Sequence, residues 1–279
     1  MRLDEPLNAG SGVYFDGTLV ESLQTPYQLI EVFDTAALGK LMRIDGANMT
    51  SERDEYFYHE SLVHPALISH AAPRKVLIIG GGDGGSAEEV LKHPSVEHVV
   101  LVELDDGVVR IAKKYLGAVH RGVFANPKLE LQIGDGLAFI QTTTVRFDLI
   151  ALDLTDPVGP AAALYTPAFF AECKHALASA GALVLHLGSP FSHPDRVAGS
   201  LAKLRLMFAK VTPYFVHIPL YGATWGFVVA SDSLDPRGLA IAEVERRLID
   251  RAVPALQFYN AEMHQAMLAL PEYIKTLIG

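Results

Sequence analysis

Hydrophobic and polar positions change period along the chain. Up to about Asn48, polar and β-favouring residues alternate, punctuated by Gly12, Gly17, Gly39 and Gly46. SGVYFDGTLVESL and YQLIEVFDTAALGKLMRID read as hairpin strands of a small antiparallel sheet. TSERDEYFYHESLVHPALISH then repeats at helical spacing until Pro73, with Ser51 and Asp54 in an S-x-x-D capping pattern.

From Arg74 the pattern becomes strand, loop, helix, repeated. KVLIIG is a continuous apolar strand ending in glycines, and Ser86 with Glu89 predicts a capped helix after it. HVVLVE precedes the helix DDGVVRIAKKYL, LELQI precedes a helix after GDG, and FDLIALDL precedes one from Pro167. ALVLHL follows. Apolar strands alternating with amphipathic helices predict an α/β fold whose parallel sheet is covered on both faces. KVTPYFVHIP and TWGFVVAS, parted by a short Tyr-Gly turn region, predict an antiparallel edge to that sheet. A helical stretch from Ala240 to Ile278 ends the chain. There is no internal repeat.

With 279 residues the chain suits one or two domains, expected as a β-hairpin domain over 1–50 and an α/β domain over 51–279. Hydrophobic residues at 50% and charged residues at 20% exclude a disordered chain. Lys and Arg number 23 against 32 Asp and Glu, a net charge of −9. That balance argues against nucleic acid or an anionic membrane as partner and suits a cationic small molecule. Cys173 is the single cysteine, so an intrachain disulfide is excluded and a structural helix position is expected. MRLDEPLNAG lacks the apolar core of a signal peptide, and no run approaches the roughly 20 apolar residues of a membrane span. A soluble, cytoplasmic protein is expected.

Candidate chemistry collects at the predicted carboxyl ends of the parallel strands, where open α/β sheets bind ligands. The loop GGGDGG, Gly80 to Gly85, follows the first of these strands and opens a helix. Its glycines let backbone approach a ligand closely. Asp83 in its middle would repel a pyrophosphate, which disfavours NAD, FAD and nucleoside triphosphates and favours a cation. Glu103 ends the second strand, placed to accept hydrogen bonds from ribose hydroxyls. Asp135 ends the third, either receiving an adenine amino group or capping a helix. Together these residues suggest an adenosine without phosphates, and the S-adenosyl group with its cationic sulfonium fits. After the fourth strand, Asp153 and Asp156 stand in LDLTDPVGPA, where Pro157, Gly159 and Pro160 fix the loop. Two such carboxylates can hold an ammonium, and one can act as general base.

The stretches SERDEYFYHE, GGGDGG, VELD, GDG and D-x-x-DPVGPA together resemble the polyamine aminopropyltransferases, the family of spermidine synthase. The resemblance runs from Tyr27 and Gln28 to FYNAEMHQAMLALPEY near the end of the chain. It implies an N-terminal β domain, a Rossmann-like, methyltransferase-type sheet, and homodimers or homotetramers. It implies decarboxylated S-adenosylmethionine as co-substrate, no permanently bound cofactor and no metal. Glu103 would hold the donor's ribose, Asp135 and Gly136 its adenine, Asp83 the ammonium of its tail, and Gln28 would touch the donor as well. Tyr58, Tyr221 and Asp156 would line the pocket of the polyamine acceptor. Asp83 would also repel the carboxylate of intact S-adenosylmethionine.

The implied reaction is in-line displacement at the aminopropyl carbon, releasing 5'-methylthioadenosine. An alkylamine with the pKa of Lys is neutral in only about one molecule in a few thousand at pH 7, so a base must take a proton in place. Asp153 is the expected base, assisted by Tyr58. Putrescine is the expected acceptor, with agmatine or spermidine as alternatives. His59, beside the donor, and His186 and Met49 stand where relatives more often carry glutamine, which bears on the acceptor. A methyltransferase, or a homologue that binds without reacting, would share the fold. Comparing intact with decarboxylated donor separates the first, and absence of methylthioadenosine release the second.

Overall fold

The computed structural model describes residues 1–157, 159–254 and 256–279, and the side chain of Pro160 lies outside the description. Of the DPVGPA loop, Val158 and the Pro160 ring are therefore outside the described residues. The first strands are β1 (Arg2–Asn8), β2 (Ser11–Gln24), β3 (Leu29–Thr35), β4 (Gly39–Ile44) and β5 (Ala47–Ser51). They form a five-stranded sheet in sequence order, antiparallel throughout. Asp45 and Gly46 join β4 to β5 with φ of 50° and 81°. Positive φ at both turn residues suits a two-residue hairpin turn, which is why Asp-Gly stands there.

The second sheet contains β6 (Lys75–Gly80), β7 (His98–Glu103), β8 (Leu129–Ile133), β9 (Phe147–Asp153), β10 (Leu177–Gly188), β11 (Lys210–Ile218) and β12 (Ala223–Ser231). Its order is β11-β12-β10-β9-β6-β7-β8, with β6 to β10 parallel and β12 antiparallel to both neighbours. Strand order reverses between β6 and β9, so a crevice opens outside their carboxyl ends. Alternate residues of β6 feed opposite cores. Leu77 and Ile79 pack with Ile150, Leu152, Phe169 and Phe170, while Val76 and Ile78 join Leu62, Val63, Ala66 and Ala87. A strand buried on both faces is uniformly apolar for this reason.

The helices are α1 (Glu55–Ser69), α2 (Gly85–Leu91), α3 (Asp106–Tyr115), α4 (Gly117–His120), α5 (Gly136–Thr142), α6 (Pro167–Ala176) and α7 (Pro194–Arg205). The expected C-terminal helical stretch is divided into α8 (Ile241–Asp250), α9 (Ala261–Leu268) and α10 (Glu272–Ile278). Among the described residues no helix is long and apolar enough to cross a membrane. Cys173 is buried in α6, as expected.

Three details differ from the sequence pattern. First, α1 ends at Ser69, not at Pro73, and is buried on nearly all sides because the second sheet, α2 and α8 pack around it. Pro65 inside it has no N–H for the Ser61 carbonyl, and the Tyr214 hydroxyl donates to that carbonyl at 2.9 Å instead. Second, Ser51 and Asp54 do not form a capping box: Ser51 Oγ donates to Asp54 Oδ1 at 2.5 Å, and Asp54 Oδ2 accepts from the Leu220 N–H at 2.7 Å. Third, Ser86 and Glu89 do not cap α2, which starts from Gly84 at φ 83°. Their side chains are taken by distant partners, Asp153 and His64.

The N-terminal sheet packs on α3: Ile30, Val32, Met42 and Ile44 share an apolar cluster with its Val108, Ile111 and Ala112. This contact brings Gln28 and Met49 over the crevice at the strand ends.

Candidate active site

A cavity of about 270 Å³ lies at the carboxyl ends of β6, β7 and β9. It brings together Gln28, Tyr58, His59, Asp83, Glu103, Asp135, Gly136, Asp153 and Tyr221. The glycine loop forms its floor. Gly80 has φ 81°, and a Cβ there would lie 2.1 Å from the Asp153 carbonyl oxygen. The Gly81 N–H donates to that oxygen at 2.8 Å, so β9 and the loop touch backbone to backbone.

One half of the cavity suits a nucleoside. Glu103 accepts from the Gly82 N–H at 3.1 Å and the Asp105 N–H at 2.9 Å. Burial nevertheless pushes its carboxyl up to about 7. Asp135 caps α5, its Oδ1 accepting from the Leu137 N–H at 2.8 Å. The two sequence readings of Asp135 are compatible, since capping uses one oxygen and the residue still lines the cavity. Gln28 Nε2 donates to Asp105 Oδ2 at 3.1 Å, an oxygen that also accepts from Thr25 Oγ1 at 2.6 Å. Val102, Leu104 and Leu137 complete an apolar slot.

The other half concentrates charge. His59 Nδ1 lies 2.8 Å from Glu55 Oε2, and its Nε2 lies 3.4 Å from Asp83 Oδ2. Burial alone would lower the imidazole pKa, but Asp83 and Glu55 overcome it and hold the ring well above its usual range. Both ring nitrogens thus face carboxylates, an arrangement that favours the protonated ring. Arg121 Nη2 closes the row at 2.8 Å from Glu55 Oε1. Polar atoms of His59, Asp83 and Asp153 lie within 4.8 Å of one another. The sequence showed no such cluster, because its members come from α1, the glycine loop and β9.

Asp153 Oδ2 accepts from Ser86 Oγ at 2.6 Å. Burial, then the charge of Asp83, raises the Asp153 carboxyl above its ordinary value. A carboxylate with a raised pKa is a stronger base. Beside it, burial and then the Asp153 charge hold the Tyr58 hydroxyl protonated well past the usual phenol range. The Tyr58 and Tyr221 rings meet edge to face at 6.2 Å, and Tyr221 donates to the Met49 carbonyl at 2.9 Å.

Asp156 follows the lining residues Asp153, Leu154 and Thr155 and pairs with Arg196, Nη1 to Oδ2 at 2.7 Å. His186 stays outside the lining. Its Nε2 lies 2.9 Å from both the Leu154 carbonyl and the Tyr165 hydroxyl, while Tyr165 donates to the Thr155 carbonyl at 3.0 Å. Burial lowers the His186 pKa. The neutral ring braces the strand-end loop.

Residues 55–240 match the family model for the spermine/spermidine synthase domain. The chain belongs to the polyamine aminopropyltransferase family. It is 46% identical over 276 residues to the polyamine aminopropyltransferase of Nitrosomonas europaea, covering 99% of this chain and 85% of that protein. It is 42% identical to polyamine aminopropyltransferase 2 of Hyperthermus butylicus, over 91% of this chain and 84% of that one. Among solved structures, a spermidine synthase in complex with the transition-state analogue AdoDATO superposes with a TM-score of 0.93 at 33% identity. That match covers 100% of this chain and 95% of the other. Spermidine synthase from Thermotoga maritima gives 0.90 at 32% identity, covering 100% and 94%.

In this aminopropyltransferase several polar residues around the cavity escaped the sequence reading. Glu55 had a readable signal, since it stands one helical turn before His59 on α1. Ser86 was read as a cap, and Thr25, Asp105, Arg121 and Arg196 reach the site only through tertiary folding.

Proposed function

We propose that this aminopropyltransferase binds decarboxylated S-adenosylmethionine in the cavity and transfers the aminopropyl group to putrescine, giving spermidine and 5'-methylthioadenosine. The observation that carries the proposal is the meeting of Asp153, raised in pKa, with the His59–Asp83 pair beside a nucleoside slot. In this reading Glu103 holds the ribose, Asp135 and Gly136 the adenine, and Gln28 the donor's edge. Asp83 holds the tail ammonium, with His59 balancing its charge. Tyr58, Tyr221 and Asp156 receive the acceptor.

The bound amine enters as a cation. Asp153 takes one proton, with Tyr58 donating a hydrogen bond, and the nitrogen lone pair attacks the carbon next to the sulfonium. The C–N bond forms as the C–S bond breaks, and its electron pair neutralises the sulfur. Near-attack positioning supplies much of the remaining acceleration. His59 also bears on donor choice. An imidazolium beside Asp83 weakens the field that would repel an intact methionyl carboxylate, so discrimination rests on Asp83 and Asp153 together.

The AdoDATO-bound spermidine synthase supports the donor assignment by its similarity. By the same family kinship we extend a homodimeric or homotetrameric, cytoplasmic state without a permanent cofactor to this chain, with residues 1–50 as its β domain. The test is incubation with decarboxylated donor and putrescine, read by mass spectrometry. Spermidine and methylthioadenosine in equal amounts are expected. Methyl transfer from intact S-adenosylmethionine, without either product, would overturn the proposal.

A further inference from the structure

We infer that Arg196 is a specificity-determining residue of the acceptor site, an internal cation that competes with the far ammonium of a diamine for Asp156. The inference rests on the proposed acceptor reading, in which one nitrogen reacts at Asp153 and the other is held by Asp156.

The guanidinium has a built seat. Gly188 ends β10 at φ 82°, and a Cβ there would lie 1.8 Å from Arg196 Nη2. The guanidinium carbon stands 5.9 Å from the Trp225 ring centre. Among the described residues its Nε and Nη2 are buried without a hydrogen-bond partner and Asp156 is its single ion partner. The pair is only partly open to water, with side-chain exposures of 19% for Arg196 and 40% for Asp156.

Helix stability does not account for this placement. Arg196 is the third residue of α7, and a cation in a first turn opposes the helix dipole. The pair instead ties α7 to the loop that follows Asp153 at the end of β9. Around it, the charge of Asp156 adds to burial in raising the Glu5 carboxyl, and at His186 the charge of Asp156 opposes burial while Arg196 works with it. Tyr165 and Tyr221 also feel Asp156. A far ammonium arriving at Asp156 meets a carboxylate already neutralised, with like charge beside it. A monoamine of equal carbon length brings no second charge and meets no such competition.

The test compares putrescine as substrate with n-butylamine as a competing ligand. In Arg196→Gln the KM for putrescine should fall about tenfold, the response expected when one desolvated charge contact is relieved. kcat should stay within about twofold and the inhibition constant of n-butylamine should not move, since neither depends on Asp156 being free. Arg196→Lys keeps the cation and should keep wild-type selectivity. Binding of methylthioadenosine checks that the variant is folded, and Arg196→Met, which keeps the stem's packing, replaces the Gln variant if it is not. A putrescine KM that rises, or equal changes for both amines, overturns the inference. Absence of transfer to any amine by the wild type would instead sink the proposed reaction.

Discussion

Ser86 donates a hydrogen bond to Asp153 at 2.6 Å, joining the start of α2 to the end of β9. The donor favours the ionised carboxylate and opposes the burial that raises it. Removing it should raise the Asp153 pKa further. In Ser86→Ala the acid limb of the kcat/KM profile should move up by about one pH unit, the worth of one hydrogen bond to a charged group. A limb that stays in place, or moves down, would show that Ser86 does not tune this carboxylate.

Asp153 itself is the proposed base. Asp153→Asn should bind methylthioadenosine as the wild type does and lose at least about a hundredfold in turnover, the usual range for a lost general base. Single-turnover methylthioadenosine release reads the chemical step. Near-normal release would remove Asp153 from the proton transfer.

Glu103 carries a pH prediction with a definite sign. Burial pushes its carboxyl up to about 7. The ionised form is the better acceptor for ribose hydroxyls, so nucleoside binding should strengthen as pH rises through that value. If binding needs the ionised form, methylthioadenosine affinity should increase about tenfold between pH 6 and pH 8. Calorimetry across that range checks it, and Glu103→Gln should flatten the curve. An affinity that falls with pH would contradict the assignment.

The His59–Asp83 pair predicts opposite effects of two variants on donor choice. Asp83→Asn removes negative charge from the tail site and should narrow the preference for decarboxylated over intact S-adenosylmethionine. His59→Gln removes the balancing cation and should widen it. Dissociation constants for both donors give the two ratios. Shifts in the same direction would mean that the pair does not act through charge.

The fold was largely legible because its strongest signals are local. KVLIIG and HVVLVE are uniformly apolar since both faces of β6 and β7 are covered, and the carboxylates that follow stand at strand ends in sequence order. What escaped depends on partners far along the chain. Ser86 and Glu89 match a capping pattern, but Asp153 and His64 claim their side chains. Asp156 was read as an open carboxylate since nothing local announces Arg196 beside it. His186 stands where relatives more often carry glutamine, and the fold uses it to brace Leu154 and Tyr165.

The most direct test of the central claim is a competition among acceptors. The purified protein is given decarboxylated S-adenosylmethionine and equimolar putrescine, cadaverine, agmatine and spermidine, and all products are quantified by mass spectrometry. Spermidine formed from putrescine should be the main product, matched by methylthioadenosine. A product drawn mainly from agmatine or spermidine would contradict the acceptor assignment, and methylthioadenosine absent with every amine would contradict the reaction.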